Sequence, residues 1–196
     1  MSLASNQSLH DITQQHAPQL VISFAESLID APHFAALESF YQQDTIINIL
    51  QQVLQYLKDH RDTVTIPSQL GDVIFDKACE LEIYVTEPVE GRAINLDARG
   101  KDYATNILSY PSEPPESVLE LLPSLPLGEL VICHDVVVRQ ADEQGKTLKD
   151  HLTHLLVHGI LHLLGFDHEL GQAQQDEMES IEIAVLKQLA IANPYE

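Results

Sequence analysis

The stretch that decides the expected fold and site is HLTHLLVHGILHLLGFDH, which runs from His151 to His168 in a chain of 196 residues. It is as apolar as a buried helix, yet imidazoles interrupt it at His154, His158 and His162. Side chains four positions apart on a helix lie on one face, with Cβ atoms about 5–6 Å apart. His158 and His162 are therefore spaced to hold one metal ion, and we interpret the stretch as a zinc site.

A third ligand is expected just after this helix. A catalytic zinc with Zn–N bonds of about 2.0–2.1 Å takes about three protein ligands and leaves one position for water. Gly165 suits the left-handed residue that ends a helix, so the chain can turn there and bring His168 back toward His158 and His162. His154 and His158 have the same four-residue spacing, so a ligand set that includes His154 stays open on spacing alone.

Core packing is the alternative explanation for histidines on an apolar helix. A single imidazole there is usually a core residue with a satisfied hydrogen bond, and we favour that interpretation for His151 and His154. It does not extend to His158, His162 and His168 together. Burying several imidazoles among leucine and isoleucine side chains is costly unless each is paired or binds a metal.

Two motifs resemble those of a known family. HGILHLLGFDH, residues 158–168, is similar to the signature H-G-x-x-H-x-x-G-[YF]-D-H of the YbeY family, bacterial metal-dependent endoribonucleases of ribosomal RNA maturation. LDARGKDYATNILSYP, residues 96–111, resembles the family's other motif, and the resemblance covers roughly residues 19–192. The chain has Asn106 where the family commonly has Asp, Tyr110 where it has Phe, and Glu129 where it has Asp. These departures concern substrate contacts rather than the metal site.

The resemblance implies a ligand set, a reaction and partners. It implies one zinc ion per chain, held by His158, His162 and His168, with Arg99 and His158 as the catalytic residues. It further implies a single-strand-specific endoribonuclease that processes the 3′ end of small-subunit ribosomal RNA and acts in ribosome quality control. The implied partners are single-stranded or precursor ribosomal RNA and the ribosome or its proteins.

The residue types themselves are suited to hydrolysis. A metal held by three neutral imidazoles lowers the pKa of its bound water from about 15.7 toward about 7. Gly159 stands where the H-E-x-x-H motif of zinc peptidases has its general-base Glu, which disfavours peptidase chemistry of that type. The paired donors of Arg99 suit the oxygens of a phosphodiester, although a pair with a surface acid would also account for an arginine there.

Further candidates surround these residues. Asp167 and His154 could orient a ligand imidazole through hydrogen bonds. Lys101, Thr105 and Ser109 could contact substrate, but neither hydroxyl has a Ser-His-Asp context, so we expect no nucleophilic role for them.

Charge argues against a polyanionic substrate, because the formal net charge is −20 and nucleic-acid binding normally shows a basic face. The bases are unevenly placed, since six of the ten lysines and arginines fall between residues 92 and 149. Two other functions therefore stay open. One is metal-dependent hydrolysis of a different, non-RNA substrate, and the other is a non-catalytic, metal-stabilised, ribosome-associated protein.

Length and composition predict one domain. The chain is long enough for a sizeable core, and its 44% hydrophobic content fits a globular protein. No apolar run approaches the roughly 20 residues of a membrane span, and the start lacks a signal-peptide pattern, so we expect a cytoplasmic protein and no membrane partner. We expect a flexible extension over residues 1–18 and a YbeY-like metallohydrolase domain over residues 19–196.

Local patterns predict an α+β fold in which helices pack on one mixed sheet of about four strands, with a zincin-like metal-binding helix at the centre. Strands are predicted at 19–24, 79–86, 106–110 and 129–134, with a short one at 73–75. Helices are predicted at 44–60, 87–98, 135–145 and 172–191, besides the metal-binding helix, which we expect Thr147 and Asp150 to cap. The proline-rich residues 111–126 suggest a lid or insertion. The acids of the helix at 172–191, Glu182 among them, are predicted to form a solvated face.

Overall fold

The computed structural model describes residues 17–68 and 70–196. The predicted extension over residues 1–18 lies outside these residues, apart from Ala17 and Pro18. One four-stranded sheet in the described part of the chain has the strand order β1-β2-β4-β3. The strands are β1 (Gln19–Phe24), β2 (Ala78–Thr86), β3 (Ile107–Pro111) and β4 (Ser124–Cys133).

The sheet is mixed, as predicted. β2 pairs in parallel with both β1 and β4, whereas β3 pairs antiparallel with β4. Apolar side chains alternate along β2, where Leu81, Ile83 and Val85 are each at most 1% exposed. This alternation buries one face of the sheet beneath the helices, so the sequence pattern and the layer that it forms agree.

The helices of the described residues range from a single turn to more than four turns. They are α1 (Glu26–Ile29), α2 (Phe34–Glu38), α3 (Gln43–Asp59), α4 (Pro88–Arg99), α5 (Glu116–Leu119), α6 (His134–Glu143), α7 (Leu148–Leu163) and α8 (Gln172–Gln188). A 3₁₀ helix spans Gly71–Phe75. The α+β class and the predicted long helices are confirmed.

Helix α7 lies at the centre of this arrangement and carries the histidines. It packs against β3 and β4 of the sheet and against helices α3, α6 and α8. Its first turn begins as predicted, because the Thr147 hydroxyl accepts a hydrogen bond from the Asp150 amide at 3.0 Å. Leu156, Val157, Ile160 and other apolar side chains of α7 are almost fully buried, so the helix is held on most of its circumference.

Three local predictions are wrong. Residues 73–75 form part of the 3₁₀ helix instead of a strand, since Val73 N bonds Leu70 O and Asp76 N bonds Val73 O. The helix predicted from residue 135 already begins at His134, and Cys133 is its N-cap residue. β4 also begins five residues before Glu129, at Ser124.

The proline-rich residues 111–126 are more tightly held than a lid. Their last part is β4, in which Ser124 pairs with Ala78. The Lys77 ammonium donates to three main-chain carbonyl oxygens at and just after the end of α5, those of Leu119, Glu120 and Leu122, at 2.7–2.8 Å. The segment is therefore bonded to β2 and to Lys77, which precedes β2. Among the described residues, no helix is both long and apolar enough to cross a membrane.

Candidate metal centre

His158 and His162 face the same direction from successive turns of α7. Their Nε2 atoms are 3.1 Å apart, and their ring centroids are 4.5 Å apart. Two unprotonated imidazole nitrogens this close repel each other unless a proton or a metal ion lies between them. The helix therefore presents two converging nitrogen ligands, as the four-residue spacing predicts.

The end of α7 brings the third histidine to this pair. Gly165 has a left-handed φ of +88°, and its amide donates to His162 O at 3.0 Å while the Phe166 amide donates to Leu161 O at 3.1 Å. This pair of bonds is the Schellman motif that reverses the chain after a helix. His168 consequently lies with its ring centroid 5.2 Å from that of His158 and 5.1 Å from that of His162.

The three imidazoles fit a transition metal. One nitrogen from each of His158, His162 and His168 lies within 4.8 Å of the other two, which is the spacing of ligands around one small ion. Burial and the neighbouring His158 and His168 lower the pKa of His162 to about 4. His162 is therefore unprotonated at neutral pH, the form that coordinates a metal.

A carboxylate that was predicted to be solvated lies directly behind this group. Glu182 of α8 is 1% exposed, and its Oε1 accepts from His158 Nδ1 at 2.9 Å while its Oε2 accepts from His154 Nε2 at 3.0 Å. The Tyr195 hydroxyl donates to Oε2 as well. The prediction of a solvated face is wrong for Glu182. The apolar stripe could have located it, because Glu182 follows Met178 by four residues and precedes Val185 by three.

The charge of Glu182 is set by these contacts. Burial alone would raise the pKa of its carboxyl, but hydrogen bonds from His154, His158 and Tyr195 lower that pKa to about 2. The side chain is therefore an anion at neutral pH. Burial and the same carboxylate raise the pKa of the Tyr195 phenol, so Tyr195 stays protonated and donates.

Arg99 and Asp167 are both bonded to Glu169, the residue after His168. Arg99 is the last residue of α4, and its Nη2 donates to Glu169 Oε1 at 2.9 Å. Glu169 directly follows His168, so this ion pair joins Arg99 to the turn that carries His168. The side chains of Arg99 and Glu169 are 47% and 63% exposed. Asp167 accepts from the Glu169 amide at 2.8 Å, and thus shapes the turn that carries His168.

The remaining sequence candidates occupy different positions. His154 reaches His158 through Glu182 rather than directly. Lys101 is exposed just beyond α4. The Thr105 hydroxyl donates to Asn106 Oδ1 at 3.3 Å, and the Ser109 hydroxyl donates to Gly159 O at 3.4 Å. Ser109 thus links β3 to α7 beside the histidines.

Gly159 has a steric role that its place in the motif does not reveal. A Cβ atom there would lie 2.8 Å from Ile107 Cδ1 on β3 and 2.8 Å from Leu130 Cδ2 on β4. Contacts under 3.0 Å require the neighbours to shift. The glycine therefore lets α7 pack closely on the sheet, and a glutamate at this position, as in zinc peptidases, would point into the core.

A cavity of about 450 Å³ opens beside the ligand group. His158 and His168 both belong to its lining. The polar lining residues away from these two histidines are Asn106, Gln140, Gln144, Lys146, His151, His154, Gln175, Glu179, Glu182 and Tyr195. Room for a polar substrate thus adjoins two of the three ligand histidines.

The fold and this site define the class of protein first. An α+β domain carries a three-histidine group on a central helix and the turn after it, with an arginine and an open cavity beside the group. That combination is typical of a metal-dependent hydrolase. The finer assignment comes from comparison with known sequences. A family profile described as "Endoribonuclease YbeY" matches residues 33–190, and the chain belongs to this family.

Two individual sequence relatives agree with the family. An Endoribonuclease YbeY of Psychrobacter cryohalolentis is 62% identical over 120 residues, which are 61% of this chain and 77% of the relative. One of Acinetobacter baumannii is 50% identical over 131 residues, 67% of this chain and 83% of the relative. The solution structure of TM1509 from Thermotoga maritima matches 88% of this chain and 92% of its own, at 20% identity and a TM-score of 0.45.

Proposed function

We propose that this protein is a zinc-dependent endoribonuclease that cleaves single-stranded segments of ribosomal RNA precursors. Its proposed role is maturation of the 3′ end of small-subunit ribosomal RNA and ribosome quality control in the cytoplasm. The observation that carries the proposal is the convergence of His158, His162 and His168 next to Arg99 and an open cavity. Membership of the YbeY family supports RNA as the substrate.

We assign metal binding and phosphate binding to different residues of the site. His158, His162 and His168 hold one zinc ion, which supplies a water of lowered pKa when bound. Arg99, half exposed, exchanges its carboxylate partner Glu169 for the phosphodiester oxygens, whose charge grows during cleavage. Its planar fork matches two phosphate oxygens at once.

Substrate contacts around this centre follow from the lining of the cavity. Neutral amides such as Gln140 and Asn106 suit the polar edge of an unpaired base better than a phosphate, because Glu179 and Glu182 line the same cavity. Lys146 lines it too, but its ammonium already donates to Gln144 Oε1 and Pro194 O. Lys101, Thr105 and Ser109 are further proposed substrate contacts. We assign phosphate recognition to Arg99 and Lys101, and base contact to the cavity.

Unaided affinity for RNA should be low. The net charge is −20, and three of the six bases between residues 92 and 149 already pair with acids, namely Arg92 with Asp102, Arg99 with Glu169 and Arg139 with Glu143. Few phosphates can be contacted, so the salt dependence should be shallow, at about −0.7 in log–log slope per contact on a single strand. We propose that the ribosome or its proteins bring the substrate to the site.

Substitution of Arg99 tests the assignment. Arg99→Ala should lower the cleavage rate of an unstructured RNA by about 10²–10³-fold, as loss of one charge-stabilising donor does, while zinc content stays unchanged. Arg99→Lys should recover little, because an ammonium lacks the paired donors. Arg92→Ala is the matched control, since Arg92 lies on the same helix, is similarly exposed and pairs with Asp102.

Near-normal cleavage by both Arg99 variants would reduce Arg99 to a surface residue. The acidic surface favours one competing function, hydrolysis of a substrate other than RNA. That alternative would be supported if zinc-loaded wild-type protein left RNA intact. A metal-stabilised, non-catalytic role would be supported if the zinc-loaded protein hydrolysed no ester or amide either.

A further inference from the structure

Glu182 is a charged side chain in a place where charge is costly. It is 1% exposed in the interface between α8 and α7, and its two carboxylate oxygens receive hydrogen bonds from His158, His154 and Tyr195. A buried carboxylate gives little net stability even when its hydrogen bonds are satisfied, and an apolar residue of similar size often stabilises as well. Stability alone therefore does not account for an anion here.

The hydrogen bond between Glu182 and His158 determines which nitrogen of His158 carries the proton. A carboxylate can only accept, so the proton of neutral His158 lies on Nδ1, which is 2.9 Å from Glu182 Oε1. Nε2 of His158 is then left with its lone pair, and this atom lies 3.1 Å from His162 Nε2. The carboxylate thus selects the tautomer that presents Nε2 to the ligand group and fixes the plane of the ring.

We propose that Glu182 is a positioning residue for the metal centre, which orients His158 from α8 and raises the basicity of its ligand nitrogen. The inference rests on the metal centre of the proposed function. His154 and Tyr195 support this role, because both bond Oε2 of Glu182 and leave Oε1 to His158. The Tyr195 ring also packs edge-on against His154, with centroids 5.7 Å apart. Tyr195 and His154 thereby hold the Glu182 carboxylate in place.

Zinc affinity is the first readout. Glu182→Gln keeps the size of the side chain but removes the charge, and its amide NH₂ group would face the donors of His154 and Tyr195. We expect the zinc dissociation constant, measured by competition with a chelator, to rise about 10–100-fold, as for loss of a partner behind a ligand histidine. Glu179→Gln is the matched control, because Glu179 lies one turn earlier on α8, lines the same cavity and bonds Gln175 instead.

Two results would overturn the proposal. One is an unchanged zinc dissociation constant for Glu182→Gln, and the other is an equal loss for Glu179→Gln, which would indicate only the general attraction of acids for a cation. Failure of the metal centre itself is distinguishable, because wild-type protein would then hold no zinc at all.

The tautomer of His158 provides a readout that needs no substitution. Nitrogen-15 NMR of metal-free wild-type protein at about pH 8, where an ordinary histidine is neutral, should show the proton of His158 on Nδ1. In Glu182→Gln this preference should weaken. A proton on Nε2 in the wild type would contradict the proposal, even if the variant failed to fold.

Discussion

Helices α7 and α8 contribute the two halves of the candidate centre, and they hold their functional groups by different means. His158 and His162 are set by the repeat of α7, and His168 by the Schellman motif at Gly165, so that short-range geometry fixes all three ligands. Glu182 reaches His158 only because Met178, Ile181 and Val185 pack α8 on the core. The positions of the three histidines therefore follow from local sequence, whereas the position of Glu182 depends on tertiary packing.

This difference predicts which substitutions lower zinc affinity and which lower the stability of the fold. The largest effect should come from a large side chain at Gly159, where α7 meets the sheet. Gly159→Ala should change the free energy of unfolding of metal-free protein little, because the added Cβ meets only the movable ends of the Ile107 and Leu130 side chains and alanine favours a helix over glycine by about 1 kcal/mol. Gly159→Glu, which creates the peptidase-like H-E-x-x-H, should cost more, because it also buries a carboxylate. Urea unfolding measures both.

A stable Gly159→Glu protein with wild-type zinc affinity would break this part of the comparison. It would show that α7 does not depend on its close approach to Ile107 and Leu130.

A smaller effect is expected at Gly165, and it should combine strain with loss of metal. Gly165→Ala places a Cβ 2.7 Å from Ser68 N and adds about 1–2 kcal/mol for a left-handed alanine. Because the same turn carries His168, zinc affinity should fall as well. Gly145→Ala is the control, since Gly145 is left-handed with no atom within 4 Å of the added Cβ.

The two glycine variants should therefore share the backbone strain but differ in zinc binding, which calorimetric titration with zinc can measure. Equal zinc affinities for Gly165→Ala and Gly145→Ala would mean that the turn at Gly165 does not position His168.

The sequence allowed prediction of those features that a few consecutive residues determine. The spacing of His158 and His162, the left-handed Gly165 and the cap at Thr147 belong to this group. The 3₁₀ helix at Gly71–Phe75 was missed because its apolar Val73-Ile-Phe75 run fits a short strand equally well. The apolar stripe of α8 could have marked Glu182 as buried, but it does not reveal that its partners are His154 and His158 of another helix.

The ion pair of Arg99 illustrates the same limit. The motif that contains Arg99 marks the residue as a candidate, yet nothing in the chain indicates that Glu169, seventy residues later, holds it beside His168. A contact of this kind depends on how α4 and the turn after α7 meet. Such long-range pairs need the fold before they can be recognised.

The most direct test of the central claim joins metal content to RNA cleavage in one set of samples. Wild-type protein purified without added metal should contain one zinc ion per chain, lose cleavage of unstructured RNA when the zinc is removed and regain it when zinc is restored. Protein with His158→Ala and His162→Ala should contain no zinc and cleave no RNA. Unchanged metal content in this double variant, or cleavage by metal-free wild-type protein, would contradict the account.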